Sequence, residues 1–431
     1  MPILCLGLSH HTAPVDVRER HAFPAERMGE ALTVLRTYDA VREAAMLATC
    51  GRLEIYAELD DYELGVEQIK AFLTQFRHGA VGYDLESYLY TLLGREAIEH
   101  LFRVTTGLDS MLIGEAEILG QVKDAYVQAH QVGALGASLH RLFGDAINAG
   151  KTARSKTCIG QESASVATAA IDLARARLGS LVGRKVLVVG AGKMGRTAGK
   201  RLYHEGVAEL VIMNRTFERA QALVDEIGFG KALSLEHVSV SLVHADIVVT
   251  STGASSFMVS VPMVAAAMAQ RPQRPLFIID IAVPRDVDPA VAQIADVSLV
   301  DIDGLRDVVD ERLEVRREAI PHVEAIVAEY VARFSEWYRS RLAVPVIASL
   351  TQKADAIRTS EIERLFARCP DLSERERTLI AGASMTIVSR LLHSAVVKIR
   401  DKAVADREGA LESTRLLEEL FELRSQADAR T

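Results

Sequence analysis

Three groups of residues in this 431-residue chain carry side chains able to do chemistry. The first is Ala48-Thr49-Cys50-Gly51-Arg52-Leu53-Glu54, a polar, glycine-containing loop leading into an apolar run. A thiolate is the attacking form of cysteine, and a neighbouring guanidinium or imidazolium draws a thiol pKa from ~8.5 toward neutrality. Cys50 beside Arg52 is therefore a candidate nucleophile, although a single cysteine near a strand is also an ordinary packing residue. The second group is Val186-Leu187-Val188-Val189-Gly190-Ala191-Gly192-Lys193-Met194-Gly195, which reads as a strand, a G-x-G-x-x-G turn and the start of a helix. Gly190 allows the tight turn, Gly192 lets a pyrophosphate approach the backbone, Gly195 lets helix and strand pack closely, and the helix N-terminus faces the phosphates. About twenty residues on, the next strand ends in Asn214-Arg215-Thr216 rather than in the Asp or Glu that binds ribose hydroxyls. A guanidinium there suits a 2′-phosphate and favours NADP(H) over NAD(H), against the alternative of a plain solvated arginine. The third group runs from His100 to Gln121, where Asp109, Ser110, Glu115, Glu117 and Gln121 interrupt apolar helices around Gly107-Leu108-Asp109-Ser110. A bound polar ligand explains that placement; so does helix capping by Asp109 or Ser110 with Gln121 in solvent.

Apolar periodicity indicates what positions these groups. Strands are expected at Ile3–Leu8 and Glu54–Leu59, and helices at 24–37, 96–105 and 118–132, an α+β pattern over residues 1–178. Five short β-branched runs alternate with helical or loop segments over 179–303, as in a parallel sheet wound with helices. Residues 304–342 predict a long helix, a rod on the order of 55 Å kinked at Pro321. After an extended 343–345, helices over 347–368, 373–402 and 410–425 complete a bundle in 343–431, either a dimerisation module or an intramolecular cap. The fold class is thus a multidomain α/β chain: an α+β domain, a Rossmann-type domain, a spinal helix and a helical C-terminal domain.

The hydrophobic share of 49% and charged share of 25% exclude a largely disordered or fibrous protein. Cys5, Cys50, Cys158 and Cys369 contain no C-x-x-C pair, so neither a disulfide framework nor a thiolate metal site is expected. The absence of a basic N-terminal region and of about 18 uninterrupted apolar residues points to a cytoplasmic protein without a membrane partner. The net charge of −8 excludes nucleic-acid binding through a bulk basic surface. Only local clusters such as Arg141, Lys151, Arg154 and Lys156 are available for phosphate contacts.

Taken together, these residues resemble the glutamyl-tRNA reductases over essentially the whole chain. The resemblance is carried by Gly7-Leu8-Ser9-His10-His11-Thr12-Ala13-Pro14, Thr49–Arg52, Gly107–Gln121, Ser163–Ala174, the glycine turn, Asn214-Arg215-Thr216 and Asp280–Asp286. It implies that Cys50 attacks glutamyl-tRNA(Glu) to give a thioester that NADPH reduces to glutamate-1-semialdehyde, the first step of tetrapyrrole synthesis. It further implies that His100 is important for activity, and that Thr49, Gly51, Arg52, Ser110, Glu115, Ala116, Glu117 and Gln121 recognise the glutamyl group and the tRNA end. Gly190, Ala191, Gly192, Lys193, Met194, Gly195, Asn214, Arg215 and Thr216 would hold the cofactor, and the C-terminal helices a homodimer. Glutamate-1-semialdehyde aminomutase is the implied recipient of the product. The chain departs from the family at Gly51, where Asn is usual, and at Glu115-Ala116-Glu117, where Glu-Pro-Gln is usual. Two other readings compete: a shikimate-type NADP dehydrogenase, which leaves the Cys50 loop and C-terminal helices without a job, and a non-catalytic tRNA-binding relative.

Overall fold

A computed structural model describes residues 3–75, 85–115, 117–160, 165–254, 256–309, 314–342, 344–405 and 420–421. Ala116, Ser163 and Ala164, and nearly all of the helix expected over 410–425 lie outside the described residues. Two compact units divide the chain, Met1–Val331 and Ala332–Thr431.

The first unit holds two sheets. One is four-stranded, built from β1 (Ile3–Ser9), β2 (Val41–Ala48), β3 (Arg52–Leu59) and β4 (Tyr90–Leu93) in the order β2-β3-β1-β4. Its pairings are antiparallel, and the register sets Ser9 opposite Arg52 and Gly7 opposite Glu54. Helices Val15–Arg20, Met28–Leu35, Tyr62–Gln75, Arg95–Thr106, Glu117–Gln131 and Ala137–Lys156 accompany this sheet. The second sheet contains β5 (Lys185–Val189), β6 (Glu209–Asn214), β7 (Lys231–Ser234), β8 (Ile247–Thr250), β9 (Leu276–Asp280) and β10 (Val297–Asp301), in the order β10-β9-β8-β5-β6-β7. All of its pairings are parallel. Strands buried on both faces by crossover helices read as unbroken apolar runs, which is why Val186–Val189 and Ile247–Val249 lack alternation.

Helix Val166–Leu178, capped by the Ser165 hydroxyl accepting from the Thr168 amide, buries Val166, Ala170, Ile171 and Leu173 against this second sheet. The same cluster takes in Val15 and Leu112 from the first domain, with Cys50, Met111, Ala191 and Met194 packed at its edge. The Cys50 loop and the glycine turn thus share one core.

Where one long helix kinked at Pro321 is expected, the described residues form helices Ile302–Val309 and Glu314–Leu342, the latter with Pro321 inside it. The expected extended 343–345 is corrected at its described residues: Val344 and Pro345 open helix Val344–Arg368, because a proline in a first helical turn sacrifices no helical hydrogen bond. Helix Glu374–Ala405 follows. Its stretch Glu374–Lys398, with a mean hydropathy of 1.4, is long and apolar enough to cross a membrane.

Candidate active site

Between β2 and β3 the chain reverses through Thr49-Cys50-Gly51-Arg52. The Thr49 amide donates to Arg52 O (2.9 Å), and the Thr49 hydroxyl accepts from the Gly51 and Arg52 amides (3.1 Å each). His10 N donates to Gly51 O (2.8 Å), which ties the turn to the end of β1. Thr49 therefore builds the turn that presents Cys50. Space beside Gly51 is ample, since an added Cβ would come no nearer than 3.9 Å to His10, Met111 or Thr49. Cys50 opens into a narrow cleft lined also by His10, Thr49, Gly51, Arg52, Ser110, Glu115 and Gln121. Among the described residues, the hydroxyl of Ser110 is buried there without a hydrogen-bond partner.

Arg52, Glu54 and Tyr56 alternate onto one face of β3, and that face holds a buried polar cluster. Arg52 Nη1 donates to Glu54 Oε1 (2.5 Å), and Nη2 donates to the Asp109 carboxylate (2.9 Å) and carbonyl. Glu54 also accepts from Tyr56 (2.6 Å) and Tyr90, and His100 Nε2 lies 2.9 Å from Glu54 Oε1. Burial alone would push the Glu54 carboxyl up, but Arg52, His100 and Tyr56 hold it well below the usual range. Asp109, also facing His11, is likewise held low by His11 and Arg52 against the effect of burial. His100 thus contacts Glu54 and Tyr90 and does not line the Cys50 cleft. Cys5 Sγ comes within 4.8 Å of Glu54 and His100 ligand atoms, but Arg52 already balances that carboxylate.

Arg52 is the cation expected to activate Cys50, yet the guanidinium that touches the Cys50 turn is Arg18, whose Nη1 donates to Cys50 O (2.5 Å). Burial raises the Cys50 thiol to about 12, the Glu115 charge adds to this and Arg18 opposes it. Burial and the neighbouring Glu117 raise Glu115 to about 7. A folded-state pKa above the unfolded ~4.3 means that Glu115 adds stability at low pH, and that this contribution is lost as pH rises toward 7. Glu115→Gln is therefore expected to gain on wild type by up to about 3 kcal/mol between pH 4.5 and 8, read from urea midpoints across that range. A constant difference would contradict the raised pKa.

On the nucleotide side, an added Cβ at Gly195 would lie 1.8 Å from Gly190 O, and Gly190 itself has φ +115° against Ser251. Beside Gly192 the space is open, as a phosphate approaching the backbone requires. Asn214 Oδ1 accepts from Ala191 N (3.3 Å), and Asn214 Nδ2 donates to Thr216 O (3.1 Å), which joins the end of β6 to the turn. Arg215 and Thr216 are exposed at that end. The residues present therefore fit a dinucleotide along the helix starting at Lys193. That lysine also reaches the cleft domain, its Nζ 3.8 Å from Glu117 Oε1.

The family model for the glutamyl-tRNAGlu reductase N-terminal domain matches residues 6–157, that for shikimate / quinate 5-dehydrogenase residues 172–308, and that for the glutamyl-tRNAGlu reductase dimerisation domain residues 322–423. A glutamyl-tRNA reductase of Moorella thermoacetica is 42% identical over 98% of this chain and 96% of its own. One from Geobacillus kaustophilus is 41% identical over 94% of this chain and 88% of its own. The structure of the Methanopyrus kandleri glutamyl-tRNA reductase superposes with a TM-score of 0.54 at 32% identity, covering 98% of this chain and 99% of that one. An oxidoreductase with a nicotinamide-dinucleotide domain, this chain belongs to the glutamyl-tRNA reductase family.

Proposed function

We propose that the chain reduces glutamyl-tRNA(Glu) to glutamate-1-semialdehyde through a thioester on Cys50, with NADPH as reductant, as the first step of tetrapyrrole synthesis. The observation that carries this is the placement of Cys50 in a cleft with a buried hydroxyl, Ser110, that has no partner among the described residues, on the same core as the glycine turn. In the acylation step the sulfur–carbon bond forms and the ester carbon–oxygen bond breaks. The thiol proton leaves to the departing ribose oxygen, and Glu115, at about 7 in the same cleft, is the group we assign to carry it.

Arg52 Nη2 is shared with the partly exposed Asp109, so a substrate carboxylate competes for it, while Glu54, itself in contact with His100, holds Nη1. Glu115, Glu117 and Gln121 border the α-ammonium side, where the acidic departure at Glu117 is balanced by Lys193. NADPH, when bound along the glycine turn, supplies a hydride to the acyl carbon. Arg215 recognises its 2′-phosphate. Arg215→Ala is expected to raise the KM for NADPH roughly 10- to 100-fold, the value of a charge-assisted contact, with little change for NADH. Equal effects in steady-state assays with the two cofactors would sink this assignment.

Helix Glu374–Ala405 carries Leu379, Ile387 and Leu391 exposed at 64%, 60% and 74%. We read that apolar surface as part of a homodimer interface within the dimerisation segment, not as a membrane span, and place the protein in the cytoplasm. The aldehyde product is reactive, which supports direct transfer to glutamate-1-semialdehyde aminomutase. Glutamyl-tRNA supplied with NADPH tests the reading: semialdehyde formation supports it, and tRNA binding without NADPH consumption would favour a non-catalytic relative.

A further inference from the structure

The short helix Val15–Arg20 joins the two halves of the Met1–Val331 unit. Its Arg18 side chain is 2% exposed. Nε donates to Ala13 O (3.1 Å), Nη1 to Cys50 O (2.5 Å) and Nη2 to Asp303 Oδ1. The second Asp303 oxygen accepts from the Val15 amide (2.9 Å). The next residue, Glu19, accepts from Arg285 N (3.1 Å), Nε (2.9 Å) and Nη2 (2.7 Å).

Both anchors stand at the carboxyl ends of parallel strands, Arg285 after β9 and Asp303 after β10, where this fold places its ligand crevice. The Arg285 loop is itself held rigid. Asp280 accepts from the amides of Asp286 and Val287 (2.9 Å each) and the Thr250 hydroxyl (2.8 Å), and Asp286 accepts from Thr252 N (2.5 Å). The helix thus presents a cation and an anion in succession, matched by an anion and a cation on the nucleotide domain. Undocking would leave the buried Arg18 charge without Asp303, a costly state.

We propose that this helix is a clasp that docks the nucleotide domain onto the Cys50 turn, with Arg18 as its positioning residue, and that the clasp commits the acylated enzyme to reduction over hydrolysis. The proposal rests on the thioester reading above. An acyl-enzyme has two fates. In one, water adds to the carbonyl carbon, the carbon–sulfur bond breaks, the thiol regains a proton and glutamate leaves with no change in oxidation state. In the other, hydride from the nicotinamide adds to that carbon, the carbon–sulfur bond breaks, sulfur takes a proton from solvent and the aldehyde leaves as the cofactor is oxidised. Undocking slows only the second.

The test uses Glu19→Ala, Arg285→Ala and the swapped pair Glu19→Arg/Arg285→Glu in the full-length protein. Single-turnover tRNA release without cofactor should stay within about twofold of wild type, whereas the ratio of semialdehyde to free glutamate with NADPH should fall roughly tenfold or more in each single variant. The swapped pair should recover part of it. Hydrogen exchange of the 15–20 segment in cofactor-free protein should quicken in the single variants and slow again in the swap. An unchanged ratio with unchanged exchange, or singles no different from the swap, would overturn the clasp. If wild type accumulates no acyl-enzyme, the thioester reading fails, and the exchange pattern alone decides whether the clasp exists.

Discussion

Cys50→Ser lowers semialdehyde formation by at least about 10³-fold, the scale on which removal of a catalytic nucleophile acts. The substitution preserves the Thr49 turn, whose hydrogen bonds are made by the Thr49 hydroxyl and by backbone groups. Folding and cofactor binding should therefore remain intact, as checked by urea unfolding and NADPH fluorescence. What is lost is chemistry: a buried hydroxyl ionises far less readily than a thiol already pushed up to about 12. Any ester formed on serine would also accept hydride less readily than a thioester. Full activity of the variant in a coupled NADPH assay would remove Cys50 from the mechanism.

Glu54→Ala is expected to cost about 3–5 kcal/mol, enough to bring a marginally stable domain close to unfolding. Arg52, Tyr56, Tyr90 and His100 all direct polar atoms at this one carboxylate, and the Arg52 side chain is 2% exposed. Truncation leaves the guanidinium buried with Asp109 as its remaining acidic partner. Because the folded-state pKa of Glu54 is depressed, its contribution is present above the unfolded ~4.3 and is lost as pH falls below that value. The gap between wild type and variant should accordingly be widest near neutral pH and narrow below pH 4. A midpoint shift in urea of less than about 1 kcal/mol would show that the cluster is not held as described.

Features of short sequence range were legible before the structure. The glycine turn is one, because strand, turn and helix start are contiguous and each glycine has a local steric reason. The Arg52-Glu54-Tyr56 cluster was not read from the sequence: the strand was expected from Glu54, so the period-two face that Arg52 shares with Glu54 and Tyr56 emerges only with β3 starting at Arg52. β2 escaped because Glu43-Ala44-Ala45-Met46-Leu47-Ala48 is rich in helix formers, and pairing with β3 outweighs that propensity. The role of Arg18 was invisible for a different reason. Val-Asp-Val-Arg-Glu-Arg reads as a solvated helical turn, and the Asp303 that buries its charge stands 285 positions away. Likewise the assignment of Arg52 to Cys50 followed sequence adjacency, whereas strand alternation turns its guanidinium toward Glu54. Glu115 is similar: its raised pKa comes from burial that only the assembled cleft creates.

The most direct measurement is mass analysis of the full-length protein after incubation with glutamyl-tRNA in the absence of NADPH. One glutamyl group should be found on the peptide containing Cys50, released by neutral hydroxylamine, converted to semialdehyde when NADPH is added, and missing from Cys50→Ser. Semialdehyde production by wild type at full rate with the group on another residue, or with Cys50→Ser equally active, would contradict a thioester at Cys50.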